Sequence, residues 1–265
     1  MPPRSRQGKP DFWTVGEGEV ALNGWIKLSA DGGVVLAMPR SEMGQGVHTA
    51  LAMLVAEEMD IALQRVSVVQ AGADKIYGNV AMFVASLPFH PSQSEGTAPP
   101  FTLRAAEWLV AKVARELGIN ATGGSSSVAD AWEPVRAAAA TARAALLGAA
   151  AAQWKLPTAE LGIVDGVVRH PSGAQAHFGE LARSASATPP GVVTLKAQRD
   201  FKLLGRAAPR LDVPSKVDGS AVFGLDVRLP RMVFAAVRMC PMLGGAPGAF
   251  DANVALGMPG VERVV

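Results

Sequence analysis

Two short glycine-rich runs are the places where this sequence could gather backbone and side-chain groups around a ligand. One is Gly44-Gln45-Gly46, continued by Val47, His48 and Thr49; the other is Thr122-Gly123-Gly124-Ser125-Ser126-Ser127. Each is followed by a helical pattern. Glycine lets the backbone approach a ligand closely, and free amides at a helix start point donors toward negative charge, so the chemistry on offer is a cradle for phosphate or pterin groups. Gln45 adds one side-chain donor and one acceptor. Taken alone, either run also reads as a plain turn. Other chemistries are poorly supplied. His48, His90, His170 and His177 lie far apart, without the i, i+4 spacing of a helical zinc site. Cys240 is the one cysteine, too few for an internal disulfide, a zinc site or an iron–sulfur cluster. No nucleophile elbow, phosphate-binding lysine loop or dinucleotide fingerprint is present. No residue is assigned as catalytic or as a metal ligand.

The elements that must position these runs can be read from spacing. Apolar runs at Trp25 to Leu28 and Val34 to Met38 flank Ala30-Asp31-Gly32-Gly33, a hairpin signal. The first glycine run then leads into a helix over Thr49 to Asp60, and Val66 to Val69 reads as a strand. Residues 74–100 are irregular, with Tyr77-Gly78-Asn79, Leu87-Pro88-Phe89-His90-Pro91 and Glu95-Gly96-Thr97; a loop of this length is usually functional or packed on a neighbour. Phe101 to Leu117 has helical spacing and Gly118 stands at its end. The second glycine run feeds another helix, with Asp130 and Glu133 at capping-box spacing and Pro134 obscuring the start. Between Ala137 and Ala152 eleven of sixteen residues are alanine, a surface suited to close packing and so to the core. A minor hairpin at Ile163 to Arg169 and a helix at Gly179 to Ala187 follow. Residues 196–214 look like an extended linker, and beyond it Gly219 to Val227 and Met232 to Met239 read as β-rich segments and Asp251 to Leu256 as a helix start.

Composition narrows the class. The 265 residues are 49% hydrophobic and 18% charged, which excludes a disordered chain and predicts one or two compact domains. A formal charge of +2 and a single tyrosine, Tyr77, argue against nucleic acid as a partner. Apolar runs stop short of the roughly 18–20 residues of a membrane span.

The string Arg40-Ser41-Glu42-Met43-Gly44-Gln45-Gly46-Val47-His48-Thr49 closely resembles the molybdopterin-binding large subunit of the xanthine dehydrogenase/aldehyde oxidase family, in the branch formed by isoquinoline 1-oxidoreductase beta subunits. So do Asp74 to Asn79, Leu87 to Pro91, Thr122 to Ser127 and Asp130 to Pro134. Lys216 to Ala221, Gly224 to Val227 and Pro259-Gly260-Val261 resemble that family's α/β hammerhead domain. The resemblance implies an α+β fold, in which an N-terminal tail (1–22) precedes the first segment of the molybdopterin-binding domain (23–195). A linker (196–214) and a partial hammerhead domain (215–265) then follow.

The resemblance further implies a molybdenum hydroxylase, an oxidoreductase acting on N-heterocycles or aldehydes with oxygen taken from water. Its cofactor would be molybdenum–molybdopterin, in the cytosine dinucleotide form. Iron–sulfur clusters would sit only in a partner, a small subunit with two [2Fe–2S] centres, and a cytochrome c is a further candidate electron acceptor. Gly44 to Thr49 match the first cofactor loop, and Thr122 to Ser127 match the second, where amides and hydroxyls bind dinucleotide phosphates. Glu42 reads as structural, because the family's catalytic glutamate lies near the end of the full subunit. The chain thus looks like the N-terminal portion of such a subunit, needing the C-terminal half as partner. The alternatives are a truncated, inactive product of a split or broken gene, and a general phosphate-ligand binder. Location is expected to be cytoplasmic as written and periplasmic with an upstream twin-arginine signal. Assayed alone with an electron acceptor, the chain is expected to show no hydroxylase turnover; measurable turnover would overturn the portion reading.

Overall fold

The computed structural model describes residues 6–10, 13–89, 99–246 and 248–265. The expected features at His90-Pro91 and Glu95-Gly96-Thr97 lie outside the described residues. The chain forms two compact units, Met1–Gly219 and Ser220–Val265.

The first unit is built on a sheet of β1 (Val20–Ala21), β2 (Ile26–Leu28), β3 (Val34–Met38) and β4 (Val66–Gln70), in that order. β2 and β3 pair antiparallel, with Ile26 opposite Leu36. Their turn is the expected one: Gly32 has φ +80°, and the Asp31 carboxylate accepts the Gly33 N–H at 3.0 Å. β4 lies parallel to β3, with Val34 opposite Val66, so the chain must cross over between them. The crossover is α1 (Val47–Met59), and its entry is the first glycine run.

Next come α2 (Val80–Ala85), α3 (Phe101–Leu117) and α4 (Ser127–Trp154). α3 ends where its spacing predicts: Gly118 has φ +60°, and a Cβ there would lie 2.5 Å from the Lys75 Cβ. Glycine is therefore required both for the left-handed turn and for the close approach. α4 begins earlier than its capping signal implies and runs straight through Pro134. Proline removes the N–H that would bond the Asp130 carbonyl four residues back. Arg6 supplies a donor instead, its Nη1 lying 3.4 Å from that carbonyl.

The alanine surface of α4 is core. Ala131, Ala138, Ala139 and Ala142 are at most 1% exposed, and they share one cluster with Leu51, Val55 and Met59 of α1 and with Trp25, Ile26 and Leu36 of the sheet. Short side chains let α4 press against α1 while the larger residues of its partners fill the space, as close packing demands. A smaller antiparallel sheet, β5 (Gly162–Val164), β6 (Val167–Arg169) and β7 (Gln175–His177), turns at Asp165-Gly166 and leads into α5 (Phe178–Ala187). Phe178 and Leu181 bury that helix against the same cluster. β7, only three residues long, carries too little alternation to be seen in sequence.

Two further segments are tied into this packing. The segment expected as an N-terminal tail is tied in: Val20–Ala21 is a strand, Gln7 donates to Thr141 at 2.8 Å, and the Trp25 indole donates to the Arg6 carbonyl at 2.6 Å. The stretch expected as a linker, 196–214, is held to α1 by two buried carboxylates. Glu57 accepts the N–H groups of Lys202, Leu203 and Leu204 at 2.7–3.1 Å. Glu58, fully buried, accepts the Lys196 N–H at 3.2 Å and pairs with Arg136 and Arg143 at 2.7 and 3.1 Å. An irregular segment keeps its backbone donors satisfied in this way without a ladder. A short helix, α6 (Val213–Val217), closes the unit.

The second unit, Ser220–Val265, contains a 3₁₀ turn at Gly224–Asp226 and a helix, α7 (Asn253–Leu256), and no strand among its described residues. The β-rich segments at 219–227 and 232–239 do not form strands. Val222, Phe223, Leu225, Phe234 and Val237 have β-forming types but are exposed. Propensity alone does not make a strand, because its backbone groups need a paired neighbour. Among the described residues no helix is long and apolar enough to cross a membrane.

Burial raises the Glu57 carboxyl, but the amides of Leu203, Leu204 and Lys202 together with Lys196 outweigh it and leave the group lowered. A carboxyl lowered on folding contributes stability above its ordinary range, and that contribution is lost as pH falls through the folded value. Hydrogen exchange at residues 202–204, corrected for its intrinsic pH dependence, is expected to stay constant from neutrality down to the ordinary glutamate range. Below that range it should rise.

Candidate functional site

The residues singled out by spacing meet at one edge of the first unit, and the structure shows how. After β3 the chain turns through Ser41 to Gly46 before α1 begins. Gly44 and Gly46 have φ of +96° and +85°, the left-handed region, and a Cβ on either would meet open space. The second run has the same character: Gly124 and Ser125 have φ of +59° and +53°. Among the described residues, Gly123 and Gly124 are bordered within 4 Å only by the flexible Met82 side chain. One hydrogen bond joins the two loops, from the Ser41 N–H to Thr122 Oγ1 at 2.9 Å.

The first loop differs from the expectation of free amides. The Glu42 carboxylate folds back onto the start of α1 and accepts the N–H groups of Gly44 at 2.9 Å, Gly46 at 2.8 Å and His48 at 3.1 Å. Burial raises this carboxyl, and the three amides more than reverse it, so it stays ionised below the usual glutamate range. Gln45 is exposed and bonds back onto its own loop: its Oε1 accepts the Met43 N–H and its Nε2 donates to the Ser41 carbonyl at 2.8 Å. Val47 lies in the core, 3% exposed. His48 Nε2 lies 3.0 Å from the Arg40 carbonyl, which can only accept, so that nitrogen carries a proton. Thr49 Oγ1 accepts the Leu211 N–H at 3.0 Å. The side chains of Val47, His48 and Thr49 are thus committed to the fold, and the open surface of this loop is Ser41 and Met43 to Gln45, including the backbone at Gly44.

In the second loop Ser126 is buried. Its hydroxyl donates to the Gly123 carbonyl at 2.6 Å and accepts from Asn79 Nδ2 at 2.7 Å. Thr122, Gly123, Gly124, Ser125 and Ser127 remain at least partly open. Asn79 also donates to the Ala121 carbonyl and caps α2 by accepting the Met82 N–H at 3.1 Å. Tyr77, two residues earlier, packs edge-on against Trp25 at 4.9 Å, and its hydroxyl donates to the Gly24 carbonyl. Burial pushes that hydroxyl up to about 12.

Both loops hang on a pair that spacing did not point to. Arg40, fully buried at the end of β3, donates from Nη2 to Asp130 at 2.8 Å in the first turn of α4. Its Nη1 reaches the carbonyls of Pro39 and Tyr77 and the Asn120 side chain at 2.8–2.9 Å. Asp130 further accepts the N–H groups of Val80 and Ala81 and both Nη groups of Arg6. The sequence signal for this pair was the burial expected of β3 and α4, with two charged residues inside it. Such residues are rarely buried unless paired.

As chemistry, the site offers open glycine backbone from two adjacent loops at the starts of two helices, with hydroxyls from Thr122, Ser125 and Ser127. That suits close approach by a polar, anionic, multi-ring or phosphate-bearing group. The glycines leave the room such a group requires, so the residues present fit it.

The chain is similar to several known proteins. Residues 11–86 match the molybdopterin cofactor-binding domain. Over 93% of its length the chain is 32% identical to the beta subunit of isoquinoline 1-oxidoreductase from Brevundimonas diminuta, covering 32% of that protein. It is 31% identical over its whole length to a subunit of the nicotinate dehydrogenase of Pseudomonas putida, covering 20% of it. It is 25% identical to the membrane-bound aldehyde dehydrogenase (pyrroloquinoline-quinone) of Gluconacetobacter polyoxogenes, over 87% of this chain and 26% of that one. The chain therefore spans a third or less of these relatives. Quinoline 2-oxidoreductase from Pseudomonas putida 86 superposes on 64% of the chain and 17% of its own, with a TM-score of 0.37 and 17% identity.

Asp130→Ala is expected to destabilise the first unit by about 3–5 kcal/mol, because it leaves the Arg40 charge buried without its partner. A urea titration followed by tryptophan fluorescence measures this; a change below about 1 kcal/mol would show that Arg40 finds other compensation.

Proposed function

We propose, for a chain that carries molybdopterin cofactor-binding sequence and is kin to the beta subunit of isoquinoline 1-oxidoreductase, that it supplies one wall of the cofactor site in the large subunit of a molybdenum hydroxylase. The observation that carries this reading is the bond from Ser41 to Thr122, which sets two open, positive-φ loops side by side. When bound, a molybdenum–pterin cofactor supplies the redox centre.

Everything this chain contributes is positional. Gly44 and Gly46 admit the ligand close to the backbone, because no Cβ stands in the way. Thr122, Gly123, Gly124, Ser125 and Ser127 present hydroxyls and amides at the start of α4, suited to the phosphates of a dinucleotide form. Arg40 and Asp130 hold the two loops in register from below. The substrates we propose are N-heterocycles or aldehydes, in keeping with the names of the relatives. Water-derived oxygen, a partner carrying the iron–sulfur centres and a base from outside these residues belong to the same proposal. Residues 215–265 are assigned to the start of the hammerhead domain on their sequence resemblance.

Gly123→Val is the informative variant. Gly123 is outside the left-handed region and, among the described residues, has only Met82 near it, so the substitution fills the cradle without straining the backbone. In a fluorescence titration with free pterin cytosine dinucleotide, it is expected to weaken binding at least about tenfold, which corresponds to about 1.4 kcal/mol. Unchanged circular dichroism would confirm the fold. Equal affinity for wild type and variant would overturn the reading.

A further inference from the structure

As helix starts, both glycine loops would attract anions, yet in this protein they differ in one respect that matters for where charge can sit. At the start of α1 the anion position is already filled from within. The Glu42 side chain, only 9% exposed, accepts three alternate amides, those of Gly44, Gly46 and His48. Arg210, reaching in from the segment expected as a linker, holds it there: Nη2 lies 3.2 Å from Glu42 Oε1 and Nη1 donates to the Gly44 carbonyl at 2.8 Å. Asp212 fixes the guanidinium in turn through two bonds of 2.9 and 2.6 Å, and is itself paired with Lys216. At the start of α4 Ser126 makes no side-chain cap, and among the described residues no carboxylate is bonded to the amides of Ser127, Val128 or Ala129.

We infer that Glu42, locked by Arg210, is a built-in anion that seals the start of α1 against the negative charge of a bound ligand. The Gly44–Gly46 loop then offers only a close-approach surface, and phosphate groups are left to Thr122–Ser127. Simple electrostatics supports this division. A helix start carries roughly half a positive charge, and one carboxylate neutralises it while using up the donors, so a second anion would find no free amide to bind there. Arg210 and Lys216 are already paired with Glu42 and Asp212, so their charges are balanced within the cluster. Displacing Glu42 would break three backbone hydrogen bonds and one ion pair at once, which makes it a fixture rather than a placeholder. The inference rests on the reading that both loops face one phosphate-bearing group, and it makes Glu42 and Arg210 positioning residues that shape where such a group's charge lies.

The test uses the 265-residue chain, two-dimensional amide spectra and inorganic pyrophosphate as the probe. In the wild type, pyrophosphate is expected to shift the Gly124 and Ser125 resonances and leave those of Gly44, Gly46 and His48 in place. Glu42→Gln should raise hydrogen exchange at Gly44, Gly46 and His48 at least about tenfold, and pyrophosphate should then shift those three as well. If Glu42→Gln fails to fold, Arg210→Gln serves instead, with a rise of about threefold at Gly44 and Gly46. Pyrophosphate moving the α1 amides of the wild type as far as those of the variant would overturn the seal, as would unchanged exchange in both variants. If pyrophosphate moves neither loop in the wild type but moves the α1 amides in Glu42→Gln, the seal stands and the two-loop cofactor reading falls.

Discussion

A buried ion pair between the end of a strand and the first turn of a helix governs this structure. Arg40 and Asp130 are 90 residues apart in sequence and 2.8 Å apart in space. Neither has appreciable contact with solvent, and among the described residues Asp130 is the one carboxylate paired with Arg40, so the buried Arg40 charge depends on it. The pair also collects what lies around it: the Tyr77 carbonyl, the start of α2 and the guanidinium of Arg6. Those contacts bring the loop after β3 beside the loop before α4. The single Ser41–Thr122 bond between the loops would be too weak to hold them together without the pair beneath it.

The same device recurs along α1. In a chain with 18% charged residues, three glutamates at or near this helix are turned inward, and each satisfies backbone N–H groups rather than only a cationic side chain. Glu42 organises the entry loop, and Glu57 and Glu58 capture residues 196–204. The effect is that long irregular stretches behave as parts of one packed unit. An irregular backbone against a core needs acceptors for its donors, and an ionised carboxylate provides several at once.

Much of the framework was legible in the sequence. The β2–β3 hairpin, α1, α3 with its Gly118 stop and the alanine core of α4 all follow from local chemistry: turn residues, helical spacing and small side chains. The two glycine runs and their family resemblance were legible too. What was not legible was the use made of Glu42, the pairing of Arg40 with Asp130, and the fate of residues 196–211. Each depends on groups far apart in the chain. The β-rich look of 219–239 shows the converse limit, since Phe223, Leu225 and Phe234 have the composition of strands without the pairing that makes one.

The sequence by itself determined which residues could form a cradle, because glycine, serine and threonine in those runs are properties of the chain. Only the tertiary structure decided which of their donors remain available. Hydrogen-bond capacity is finite, and whether an amide faces a ligand or a carboxylate of its own protein is settled by the three-dimensional neighbours that the fold assembles.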